Sequence, residues 1–201
     1  MKTIIKNGLA VLSITIALFA SCTKKEINTY ADPSQDATAR QSPDAVAAAT
    51  HHLGEMFGGG IIFYLDSTKN HGLIAATKDQ SNGMKWYNGS YLVTGATGVN
   101  IGTGASNTTK IINKQGNTGK YAAKLCADLV SGGFSDWYLP SKKELNQLYK
   151  QRSKVPGLSA TNYWSSTESD ANNAFDQEFG GGFQFADDKS FTIHVRAVRS
   201  F

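Results

Sequence analysis

Residues 54–201 predict an α+β fold from three observations: an apolar hairpin near the start, two helix signatures in the middle, and three strand-like segments at the end. Strands, then helices, then strands argue against a doubly wound sheet, in which the two kinds of element would alternate. The hairpin comes first. Gly59-Gly60-Ile61-Ile62-Phe63-Tyr64-Leu65 reads as a buried strand, residues 66–70 as its turn, and Gly72-Leu73-Ile74-Ala75-Ala76 as the returning strand. Residues 80–110 are rich in Gly, Asn, Ser and Thr and read as long ordered loops. A helix follows, in which Tyr121, Ala122, Leu125, Cys126 and Leu129 share one stripe and Gly132-Gly133 marks the end. A second begins after Pro140, where Ser141 and Glu144 form a Ser-x-x-Glu capping pattern ahead of Leu145, Leu148 and Tyr149. Strand composition returns in Tyr163-Trp164-Ser165-Ser166, in 174–185 and in 191–198; in the last, Phe191, Ile193, Val195 and Ala197 alternate inward.

The N-terminus speaks to location. Lys2 and Lys6 precede an apolar run over 8–20, which ends in Phe19-Ala20-Ser21-Cys22. A cationic start, a short apolar stretch and small residues make a secretory signal, and the cysteine directly after them resembles the lipobox of bacterial lipoproteins. The run falls well short of the roughly 20 residues needed to cross a bilayer. The expectation is a signal peptide over 1–21, acylation of Cys22, a disordered tether over 22–53 and one domain over 54–201. That places the protein in the cell envelope, lipid-anchored in the outer membrane on its periplasmic or surface-exposed side. The tether reading rests on its Ala, Thr, Ser, Asp, Gln and Pro content, which offers little to bury. Within it, 45–53 could form a short helix, and His51-His52 could hold a stray metal, although a solvated linker end is the simpler account.

Composition narrows the classes. Twenty Lys and Arg face sixteen Asp and Glu, and cleavage would remove Lys2 and Lys6 with no acid. So nearly balanced a mature chain implies no nucleic-acid partner. With Cys22 acylated, Cys126 is the only thiol left; no intrachain disulfide can form, and a cysteine on a helical stripe reads as a small buried hydrophobe. No Cys-x-x-Cys or His-Glu-x-x-His motif occurs, and no metal or cofactor is implied.

Several stretches carry a resemblance: Gly59-Gly60-Ile61-Ile62-Phe63-Tyr64-Leu65-Asp66, His71-Gly72-Leu73-Ile74-Ala75-Ala76, Ser135-Asp136-Trp137-Tyr138-Leu139-Pro140-Ser141, Tyr163-Trp164-Ser165-Ser166-Thr167-Glu168 and Val195-Arg196-Ala197-Val198-Arg199. Together they resemble the family of the C-terminal domain of the Legionella collagen-like protein, frequent in bacterial surface lipoproteins. The resemblance implies a C-type-lectin-like fold, with paired N- and C-terminal strands, two helices flanking a twisted, mainly antiparallel sheet, and a loop-rich half that presents ligand contacts. It is similar as well to receptors diversified by retroelements, which display variable side chains just before the last strand. In this chain that region is 165–189, and the implied ligand-binding residues are Glu168, Asp170, Asn172 and Asn173 before the aromatic Phe175, then Gln177, Gln184 and Phe185. Strand alternation requires that some of the phenylalanines there belong to the core.

The chemistry of other classes is missing. Calcium-dependent lectins of related fold use Glu-Pro-Asn or Gln-Pro-Asp with Trp-Asn-Asp to offer hard oxygens to the cation, and none of these occurs. An EF-hand starting at Asp170 fails because Ala174 and Phe175 stand where a ligand and the turn glycine belong. Formylglycine formation on this general fold needs a reactive thiol pair. The glycine clusters complete no phosphate-loop, dinucleotide or serine-hydrolase pattern. His194 and Arg196 share a strand face with Glu178 or Asp176 as conceivable neighbours, which would make an acid/base site, but a solvated strand face is the plainer reading. A second surface is the basic run Lys142, Lys143, Lys150, Arg152 and Lys154, opposed only by Glu144; it would suit a polyanion or simply serve as a solvated helix face. Trp86, Tyr87 and Tyr91 would either stack on a sugar or pack beneath loops. The expected function is a non-enzymatic, lipid-anchored recognition module for a glycan or protein ligand. The alternatives are a structural or assembly component of the envelope or fimbriae and, third, an enzyme.

Overall fold

The computed structural model describes residues 50–201. Cys22, the signal segment and all but the last residues of the tether lie outside the described residues. Among the described ones, His51 already packs on Phe57 (ring centroids 4.1 Å) and Phe201 (5.2 Å), ahead of the start expected at Gly54, and its Nδ1 lies 3.2 Å from the Glu55 carboxylate.

Among the described residues nine strands form two sheets. The first has the order β1-β2-β3-β9, from β1 (Met56–Phe57), β2 (Gly60–Leu65), β3 (Gly72–Ala75) and β9 (Val198–Ser200). The expected hairpin is β2–β3, in register at Ile62↔Ile74, and β9 pairs with β3 through Ile74↔Arg199, so the two ends of the domain meet in one sheet. The second sheet has the order β4-β8-β5-β6-β7, from β4 (Ser81–Met84), β8 (Ile193–Val195), β5 (Asn162–Glu168), β6 (Asn173–Glu178) and β7 (Gln184–Asp188). All pairs are antiparallel except β5 with β8, which run parallel at Tyr163↔His194. The result is α+β.

Three helices, not two, complete the domain: α1 (Gly104–Gln115), α2 (Ala122–Ala127) and α3 (Lys142–Lys150), with a 3-10 turn over Arg152–Lys154. Together with β4, α1 corrects the expectation of loops throughout 80–110. Its inner face is held largely by polar groups: the Asn107 amide exchanges hydrogen bonds with the N–H and C=O of Gly98, and the Thr108 hydroxyl accepts from the Leu139 N–H at 3.0 Å. α2 stops at Ala127, sooner than the glycine pair suggested. α3 starts as expected, with the Ser141 hydroxyl accepting from the Glu144 N–H and the Glu144 carboxylate accepting from the Ser141 N–H at 2.7 Å.

Period-two alternation divides the interior into two cores. Ile62, Ile74, Trp164 and Val195 join Trp86, Ile111, Tyr121, Cys126 and Trp137 on one side. Phe63, Leu73, Tyr163 and Val198 join Leu145, Leu148, Val155 and Phe179 on the other. Because both faces are covered, β2 is a continuous apolar run. The buried indoles keep their N–H groups satisfied, Trp86 on the Ser165 carbonyl at 2.9 Å and Trp164 on the Met84 carbonyl at 2.8 Å. Cys126 is buried, as its stripe suggested, and burial pushes its thiol well above the usual range, away from nucleophilic chemistry. Phe191 breaks the expected inward alternation: Ile193, Val195 and Ala197 are buried, but Phe191 precedes the strand and is exposed.

Candidate functional site

The region before the last strands folds as β5, a polar turn and the β6–β7 hairpin. Its predicted ligand residues divide among three environments. Glu168 is interior. At the end of β5 its carboxylate accepts from the N–H groups of Thr94 and Gly95, both at 2.9 Å, and from the Lys189 ammonium at 2.7 Å. Lys189 has no exposed surface; it also donates to the carbonyls of Leu92 (3.0 Å), Asp170 (2.8 Å) and Ala171 (2.8 Å) and lies 4.7 Å from the Trp86 ring centroid. One ammonium thus ties the 91–96 loop to the turn after β5. Glu168 is spent in that tie, which removes it from the displayed surface.

Asp170, Asn172 and Asn173 do lie at the rim. The Asp170 carboxylate accepts from the N–H groups of Asn172 and Asn173, each at 2.8 Å, and from the Asn173 amide. Those bonds, the Asn173 side chain first, hold its carboxyl below the usual carboxylate range.

Phe175, Gln177 and Gln184 face α3 instead of solvent. Lys142 places its ammonium 3.7 Å from the Phe175 ring centroid, Gln177 is fully buried and donates to Asn146 Oδ1 and the Gly182 carbonyl, and Gln184 donates to the Lys142 carbonyl. The loop surface and the basic surface therefore share one packed seam, and Gln177 is corrected to a core residue. Within the basic set, Lys143 donates to Asn100 Oδ1 at 2.8 Å and Arg152 stacks 4.1 Å from the Tyr149 ring, whereas Lys150 and Lys154 are exposed.

The other face of the hairpin carries Phe185, opposite Asp176 in register. Phe185 is 46% exposed and Phe183 66%. Asp176 is nearly fully buried beside Trp164, with Asn162 Nδ2 donating to its Oδ2 at 2.5 Å. Burial, opposed by the Asn162 bond and reinforced by the charge of Asp187, pushes its carboxyl up to about 6.

The acid/base neighbours expected for His194 are corrected. Asp79, not Glu178 or Asp176, accepts from His194 Nδ1 (3.1 Å), the Tyr163 hydroxyl (2.9 Å) and Arg196 Nε (2.5 Å), while the Arg196 guanidinium also donates to the Ala76 and Gly157 carbonyls. The cluster pins β8 to the loop after β3. Trp86 and Tyr87 are packed beneath loops, and Tyr91 is 44% exposed, stacked on Tyr87 at 4.8 Å and donating to Asp188 Oδ1. Sequence reasoning passed over Asp79, Lys189 and the diagonal placement of Asp187 beside Asp176; all three depend on contacts that no local motif announces.

Among the described residues no group of three or more His, Cys, Asp or Glu is placed to hold a metal ion, and no helix is long and apolar enough to cross a membrane. No curated protein matches the sequence. The model of the Lcl C-terminal domain family matches residues 75–199, a span that takes in β4 to β8, all three helices, the Lys189 tie and the Asp79 cluster and supports a C-type-lectin-like, non-catalytic, surface-associated domain. The chain belongs to the Lcl C-terminal domain family.

Proposed function

We propose that the protein is a lipid-anchored recognition module of the cell envelope, adhesin-like or receptor-like, which binds a glycan or protein ligand without transforming it. One observation carries the reading: a buried ammonium fixes the loops around the β6–β7 hairpin, while Tyr91, Leu92, Val93, Phe183 and Phe185 stay exposed on the loops and hairpin around it. A soluble domain has no packing reason to leave that much apolar surface outside, and rigid loops lose little entropy on binding. Asp170, Asn172 and Asn173 supply polar contacts at the same rim. The acid/base reading of His194 loses its support, since the Asp79 carboxylate that His194 meets is consumed in holding Arg196 and Tyr163. Cys22 acylation supplies the membrane hold, each buried methylene contributing about 0.8 kcal/mol.

The test uses the full-length lipoprotein in vesicles, probed against glycan and protein arrays, with mass spectrometry of the N-terminal peptide and protease shaving of intact cells. Acylated Cys22, a shaved domain and a saturable ligand are expected. An unmodified N-terminus, or turnover of a substrate without any ligand retained, overturns the proposal. A stoichiometric envelope partner that co-purifies in place of a released ligand would make the protein a structural component.

A further inference from the structure

Beside the hairpin lies a cavity of about 610 Å³ lined by Asn82, Thr161, Asn162, Asp187, Phe191 and Thr192 among others, with no lysine or arginine in its wall and with His194, whose ring is paired to Asp79, as its one basic side chain. Behind it stands Asp176, on the same sheet face and between two of the lining residues: Asn162 donates to its Oδ2, and Asp187 is its diagonal neighbour across the β6–β7 register. Asp176 Oδ1 is the one buried side-chain polar atom among the described residues without a hydrogen-bond partner. Such an orphan asks for an explanation, because a buried acceptor left unmade costs its full desolvation. Asp187 makes the deficit larger, since a second carboxylate nearby disfavours charge on the first, the reverse of what Lys189 does for Glu168.

A cation in the cavity would offset this charge. A hard divalent ion needs six or more oxygens, and no cluster of three acids is present among the described residues to begin such a set. An organic ammonium needs fewer partners. The remainder of the wall suits the body that would carry it: the amides of Asn82 and Asn162 and the hydroxyls of Thr161 and Thr192 match sugar hydroxyls, and Phe191, 53% exposed, offers an apolar ring to the C–H face of a pyranose. Phe185 provides a second exposed ring on the far side of Asp176.

We propose that this cavity is a subsite for an amino sugar bearing a free, protonated amine, seated against Asp187 with Asp176 as the charge behind it. The inference rests on the reading of the chain as a recognition module and names a ligand class for it. A bound ammonium supplies the opposite charge that this acidic wall lacks, and an N-acetyl group in its place removes the charge and adds bulk, so the subsite discriminates amine from amide.

Full-length protein in detergent is titrated with glucosamine tetramer, N-acetylglucosamine tetramer and tetralysine. The glucosamine tetramer is expected to bind at least about tenfold more tightly than either of the others. Asp187→Asn, at a half-buried position, is expected to weaken it about tenfold or more, and Asp176→Asn likewise, with thermal unfolding confirming that each variant is folded. Lys150→Ala on α3 should leave affinity unchanged. Equal binding of the acetylated tetramer, indifference to Asp187→Asn, or no binding of the glucosamine tetramer overturns the proposal, and preferential, Asp187-dependent binding of tetralysine transfers the site to a protein ligand. Capture of some other glycan or protein that ignores Asp187→Asn overturns the subsite while leaving the recognition module standing.

Discussion

Glu168 and Asp176 are both almost fully buried acids, one at the end of β5 and the other on the adjacent β6, and their surroundings are opposite. Glu168 receives an ammonium and two backbone N–H groups. Asp176 receives one amide, faces a second carboxylate and keeps an oxygen without a partner. Both carry the desolvation cost of a buried charge, yet only Glu168 has it offset inside the chain. Buried charge therefore serves two ends in one sheet: at Glu168 it fastens loops, and at Asp176 it leaves a demand for something from outside.

The largest effect should come from breaking the satisfied member. Lys189→Met strands Glu168 and three carbonyls, and denaturant unfolding should show a loss of about 3–5 kcal/mol; combining it with Glu168→Gln should recover part of that, and a loss below about 1 kcal/mol would erase the contrast. Asp176→Asn should move the opposite way. The folded carboxyl titrates near 6 against an unfolded value of 3.8, so the folded state holds its proton more tightly; this favours folding fully below pH 3.8 and is lost as pH rises through 6. At pH 7 the neutral amide should then stabilise by about 2 kcal/mol, with the gain vanishing below about pH 4 in an unfolding series against pH. Glu144 sharpens the comparison from between: it is fully buried and accepts from the Gly102 and Ser141 N–H groups but has no cation, and burial raises its carboxyl above the usual range. Ser141→Ala, which removes the hydroxyl end of that cap, should cost about 1 kcal/mol in thermal unfolding. The smallest change is expected on the exposed side of α3, where Lys143→Ala and Lys150→Ala should each stay within about 0.5 kcal/mol; if these lysines serve a polyanion, heparin retention of the intact protein should instead fall steeply with salt in the parent and be lost in the double variant.

Legibility followed the apolar pattern. The β2–β3 hairpin, the Ser141–Glu144 cap and the Tyr163-Trp164 strand were readable because period and capping residues are local signals. α1 was not, because Asn107 and Thr108 fill inner-face positions where a periodicity argument looks for leucine, and only Ile111 and Ile112 remain to mark a stripe. At the site, exposure at Asp170 and Asn172 was legible from polarity, whereas the burial of Gln177 depends on Asn146 and Gly182 finding it. Lys189 meets Leu92, and His194 meets Asp79, across roughly a hundred residues of chain, a separation at which composition carries no information. The diagonal placement of Asp187 beside Asp176 follows from a hairpin register that the glycine-rich turn between them left open.

The Lys189 tie has a consequence for supply. An ion drawn from the medium occupies its cradle only as far as its concentration allows, and the loops it organises loosen whenever the surroundings run short. An ammonium joined to the backbone is present at fixed stoichiometry from the moment of synthesis and cannot be diluted, exchanged or chelated away, so the shape of this rim is inherited with the polypeptide wherever the cell carries it.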